Sequence, residues 1–170
     1  MWGYVPNNGL TVFLRDWQDF GNATTYWAPH NVITFDLAPS YDPYETISPT
    51  DRFEGMAMHE LTHSATLDRA SPEDYRWRHF FLGKVGVASA HPETLLYSYL
   101  TVPRDASPRW YLEGSAVFME TWMMGGVGRA QGGYDEMVFR AMVQDGAKFY
   151  DPLGLVSKGT EIDFQTGANA

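Results

Sequence analysis

The sequence predicts an α+β domain, with short strands first and helices afterwards. Two patterns lead to this reading. Before residue 48 the apolar runs are short, β-branched and bounded by turn formers; from residue 49 onward apolar residues recur at helical spacing. The strands and helices follow one another in blocks, so repeated βαβ units are not expected.

The elements follow in order. Leu10-Thr-Val-Phe-Leu14, after Asn7-Asn8-Gly9, reads as a first strand, and Asn31-Val-Ile-Thr-Phe-Asp-Leu37 as a second. Residues 38–50, rich in Pro, Tyr, Asp and Ser, read as a loop. Ser48-Pro49-Thr50-Asp51 carries a hydroxyl N-cap, a proline at the first helical position and an acid three residues after the cap. With Phe53, Met56, Ala57, Glu60, Leu61 and Ser64 at helical spacing, it predicts a helix over 49–68. Residues 73–100 are helix-compatible but interrupted around 83–90 and at His91-Pro92. Ser107-Pro108 opens another helix through Trp110, Leu112, Ala116, Val117 and Met119, ended by Gly125-Gly126. Residues 134–149 suit a third helix, and 158–170 read as a polar, turn-like tail.

Composition narrows the class. The 170 residues suit one domain (1–48 mainly β, 49–170 mainly helical) or a tight pair of subdomains. Hydrophobic residues at 44% against 19% charged exclude wholesale disorder. Twelve Lys+Arg against 21 Asp+Glu leave a net charge of -9, the wrong sign for tracking phosphates, so no nucleic-acid partner is expected. The longest weakly polar run, 114–127, is broken by Glu120 and glycines, so no membrane span is expected in this segment. The first twenty residues lack a basic stretch followed by an apolar run, which leaves a cytoplasmic protein or a piece of a longer precursor. There is no cysteine, so disulfides, thiolate metal sites and Cys nucleophiles are excluded and any metal site must use His, Asp and Glu.

Such a set exists. His59-Glu60-Leu61-Thr62-His63 is an HExxH string inside the predicted helix. Residues i and i+4 share a face about one turn apart, so both imidazoles can reach one ion. Glu60 is rotated by roughly 100° from His59, so it can act as base on a water at the ion instead of binding it. The plain alternative is a pair of ordinary, hydrogen-bonded helix histidines. Zinc needs a third protein ligand and an open position. Glu113, among apolar neighbours where an unpaired carboxylate is costly, is a candidate. Glu120, seven residues on, returns to nearly the same face and could accept the outer N–H of a ligating histidine. Alternatively, Glu113 and Glu120 mark a solvated face. His30 and His91 read as exposed loop histidines, the alternative being that either lines the cleft; His79 reads as helix surface, and Met119, Met123 and Met124 as core filler in preference to a specific binder.

The HELTH string, then Pro108-Arg-Trp110-Tyr-Leu-Glu113-Gly-Ser-Ala116-Val-Phe-Met-Glu120 about fifty residues later, resembles the gluzincin metallopeptidases, in particular the peptidase-MA-like domains related to the M1 aminopeptidases. The resemblance covers roughly residues 10–125. It implies a zincin-like fold, in which a small mixed sheet with the active-site helix precedes a mainly helical subdomain. It implies Zn2+ held by His59, His63 and Glu113, with Glu60 as general base of peptide hydrolysis and Glu120 behind a ligand. It also implies that Asn31–Leu37 is the edge strand along which a peptide or protein substrate is laid. Several such domains precede a β-propeller in exported bacterial proteins, so a periplasmic or secreted origin, a propeller in the longer chain and a truncated helix at Gly167–Ala170 are expectations of the same kind. The Gly-x-Met-Glu-Asn motif that grips a free amino terminus is absent, so aminopeptidase activity is not implied. The carbonyl-polarising tyrosine of those enzymes has Tyr134, Tyr150 or a residue beyond 170 as candidates. The competing reading is a zinc-stabilised, non-catalytic binding or scaffold domain of a larger exported protein.

Overall fold

The computed structural model of the chain describes residues 3–6, 9–39, 52–102, 107–126, 128–131 and 133–144, with backbone only for Tyr134, Asp135, Val138 and Phe139. The expected helix start at Ser48–Asp51, Tyr150, the 158–170 tail and the expected helix at Gly167–Ala170 lie outside the described residues. The architecture is α+β: a three-stranded sheet followed by five helices among the described residues.

The strands are β1 (Thr11–Arg15), β2 (Asn22–Tyr26) and β3 (Val32–Asp36), in spatial order β1-β3-β2. β3 pairs parallel with β1, Thr11 opposite Val32, and antiparallel with β2, Tyr26 opposite Val32. The expected strand at Asn31–Leu37 is therefore the centre of the sheet, not its edge. Its composition accounts for this, because Ile33, Thr34, Phe35 and Asp36 are all buried, as only a strand covered on both faces can be. Asp36 is tolerated there because Arg15, its register partner, donates from Nη2 to Asp36 Oδ2 at 2.8 Å and holds its charge close to the other oxygen as an ion pair. Flanking bonds from Thr11 N–H to the Asn31 carbonyl (3.0 Å) and Leu37 N–H to the Arg15 carbonyl (2.8 Å) extend the ladder.

The helices are α1 (Arg52–Asp68), α2 (Pro72–Phe80), α3 (Thr94–Leu100), α4 (Arg109–Met123) and α5 (Gly133–Gln144), with a 3-10 turn at Arg129–Gln131. The stretch 73–100 divides as the expected interruptions indicate. Ser71 opens α2 with a capping box: its hydroxyl accepts from Asp74 N–H at 3.1 Å, and the Asp74 carboxylate accepts from Ser71 N–H at 2.9 Å. Past α4, Gly125 and Gly126 take positive φ, which stops the helix.

By chain contacts the molecule divides into two units. One comprises Met1–Tyr41 and His63–Ser107, and holds the sheet, the end of α1, α2 and α3. Its interior contains a buried polar cluster at the C-terminus of α1. Asp68 accepts from Tyr4 Oη (2.7 Å), Asn31 Nδ2 (2.9 Å) and Lys84 Nζ (3.0 Å), and pairs with Arg78 (3.2 Å). Burial opposes the charge on Asp68, but the bonds from Tyr4, Asn31 and Lys84 outweigh it and hold the carboxyl below its ordinary range. The other unit comprises Asp42–Thr62 and Pro108–Ala170, and holds the first part of α1, α4, the 3-10 turn and α5.

Candidate metal centre

Helix α1 carries His59, Glu60 and His63 in its middle turns. It buries Met56, His59, Glu60, Thr62, Ser64, Ala65 and Asp68, a mostly polar set. Phe53, one of the residues at helical spacing, is half exposed. Burying so many polar side chains requires partners for them, and Thr62 and Asp68 find theirs within the chain.

Helix α4 supplies the two acids. Ala116, Glu120 and Thr121 form its buried face, while Trp110, Tyr111, Phe118 and Trp122 remain exposed. Glu120 is 0% exposed, so the solvated-face alternative fails for it; Glu113, with 28% of its side chain exposed, lies at the rim. Met123 is exposed, so the core role expected for the methionines does not hold there.

His59 lies between the two acids. Its Nδ1 is 3.1 Å from Glu120 Oε2, and its Nε2 is 3.3 Å from Glu113 Oε2. Burial opposes the imidazolium, but the bonds to Glu113 and Glu120 outweigh it, so the His59 pKa is raised above its ordinary value. For Glu120, burial opposes the charge, while His59 and Arg129 outweigh it and hold the carboxyl below its ordinary range.

Arg129, on the 3-10 turn, was not anticipated from the sequence. Its NH2 group lies 2.7 Å from Glu120 Oε2 and 2.7 Å from His59 Nδ1, and its Nε lies 3.3 Å from Glu120 Oε1. One signal was available: Arg129 is the only Lys or Arg between Arg109 and Arg140, in a stretch whose most buried acid needs a cation.

His63 is one turn along α1 from His59, and one ligand atom from each of His59, His63 and Glu113 lies within 4.8 Å of the others. This group could hold a metal ion. Two ligands at about 2.0–2.1 Å from one tetrahedral ion stand roughly 3.3–3.4 Å apart. The 3.3 Å between His59 Nε2 and Glu113 Oε2 fits that edge. The donor types fit too, because two imidazoles and a carboxylate are a set that zinc accepts. The remaining histidines stay outside this group: His30, His79 and His91 are exposed, and His91 pairs with Glu93 at 3.0 Å. Tyr134 falls within α5 and its side chain is not described.

Compared with known protein families, curated proteins and solved structures, the chain matches none.

Proposed function

We propose that the protein is a zincin-like metallopeptidase that hydrolyses peptide bonds in a peptide or protein substrate, with His59, His63 and Glu113 as zinc ligands. The observation that carries this reading is the grouping of those three side chains around an HExxH helix, with a buried acid behind one ligand. The resemblance of the two ordered motifs to the gluzincins supports it from the sequence side.

Bound zinc would polarise a water molecule and the scissile carbonyl. The chain's own residues supply the rest. Glu60, buried on α1 beside the first ligand, accepts the proton of the attacking water and passes it to the leaving amine. Glu120 accepts from His59 Nδ1–H, which fixes the tautomer that leaves Nε2 free to bind the ion. Glu113, whose side chain is 28% exposed, would hold the ion as a carboxylate at the solvent-facing rim of the group. A purely structural zinc site has no use for a base at Glu60, which disfavours the scaffold reading.

The experiment is Glu60→Gln, a nearly isosteric change that removes only the base. It is expected to retain zinc and to lose at least about a hundredfold of the activity in a chelator-sensitive peptide-library digest. Full activity in that variant would refute the base assignment.

A further inference from the structure

Resting on the metal reading above, we infer that Arg129 is a positioning residue of the centre, clamping Glu120 so that His59 presents Nε2 to the ion. The two roles differ: Arg129 binds no metal and acts through Glu120.

The observations concern one corner of one unit. Glu120 carries no exposure, and a buried carboxylate held by a single imidazole would be costly. Arg129 engages both of its oxygens, at 2.7 and 3.3 Å, which fixes the plane of the carboxylate as well as its charge. His59 Nδ1 has two neighbours: an acceptor, Glu120 at 3.1 Å, and a donor, Arg129 at 2.7 Å. A metal on Nε2 requires the proton on Nδ1, for which the Glu120 carboxylate at 3.1 Å is an acceptor and Arg129 is not. Arg129 then gives its N–H groups to the carboxylate, and the three side chains form a chain running from guanidinium to carboxylate to imidazole.

The backbone is built to deliver this arginine. Ala130 N–H donates to Thr121 Oγ1 at 3.1 Å, tying the 3-10 turn to the residue after Glu120. At Gly128, an added Cβ would lie 2.6 Å from Thr121 Oγ1 and 2.8 Å from Thr121 Cα. The turn can therefore seat on α4 only with glycine there, and the seating places the next residue, Arg129, over Glu120. A substitution at Gly128 should displace the clamp while leaving its chemistry intact.

The test measures zinc affinity of the full chain by competition with a chromophoric chelator, alongside the absorption spectrum of the cobalt(II) form and circular dichroism to establish folding. Arg129→Met is expected to weaken zinc about 10–100-fold, the usual effect of removing a partner behind a ligand, and to alter the cobalt spectrum. Arg129→Lys, which keeps the charge but not the fork, is expected to recover part of the loss. Gly128→Ala is expected to weaken zinc with Arg129 still present. In a Glu120→Gln background Arg129→Met should cost little more, because the clamp has lost its charged target. Wild-type or tighter affinity in folded Arg129→Met overturns the inference, as does an undiminished effect in the Glu120→Gln background. Should Arg129→Met fail to fold, unchanged affinity in both Gly128→Ala and Arg129→Lys overturns it. Failure of the parent protein to take up zinc defeats the metal reading itself, and this inference with it; parental binding with indifferent variants defeats the inference alone.

Discussion

At the scale of single residues, the chain keeps its most expensive groups where several partners converge. Asp68 is one case: four side chains meet its carboxylate, and one of them, Lys84, is itself buried. Asp68→Asn leaves that ammonium short of its counter-charge and is expected to cost about 3–5 kcal/mol, read from urea unfolding. Because the folded pKa lies below the unfolded one, the stabilisation is complete above the unfolded value of about 3.9. It is lost as pH falls past that value and through the lowered folded one. The wild-type urea midpoint should therefore drop in that acid window, and the Asp68→Asn variant should drop less. An equal acid response in both proteins would remove Asp68 from the account. The sequence made the ligand candidates legible, because HExxH carries its own geometry in a spacing of four. It did not make Arg129 or Lys84 legible as partners, because their carboxylates are 9 and 16 residues away and are brought close only by tertiary structure.

At the scale of elements, what was read correctly had local causes. α1 and α4 were visible through their periodicity and the glycines after α4, and α2 and α3 through the breaks between them. β2 was missed because Asn-Ala-Thr-Thr-Tyr has little apolar character, and its pairing with β3 supplies what its composition does not. The edge role expected for Asn31–Leu37 failed for a related reason: strand order depends on pairing across the sheet, which no local run encodes. The Ser71 start of α2 was legible in principle, since serine, proline at the next position and aspartate three residues on form a capping box. That box does double service, because Asp74 Oδ1 also accepts from Val102 N–H at 3.0 Å. Ser71→Ala is expected to lower stability by about 1 kcal/mol, measured by thermal or urea unfolding. A change within error would show that Asp74 holds the helix start without the serine hydroxyl.

At the scale of the whole molecule, the α+β class followed from the order of the patterns along the chain and needed no tertiary information. No helix among the described residues is long and apolar enough to cross a membrane. The absence of cysteine is more informative than the acidic net charge, because it leaves histidine and carboxylate as the candidate donors for a metal, and His59, His63 and Glu113 are a group that could hold one. The most direct measurement is the zinc content of the protein and of Glu113→Ala, by elemental analysis after dialysis against metal-free buffer. The account predicts one tightly held zinc per parental chain and a large loss in Glu113→Ala with the fold retained. Parental protein without zinc, or the same stoichiometry in both proteins, would contradict it.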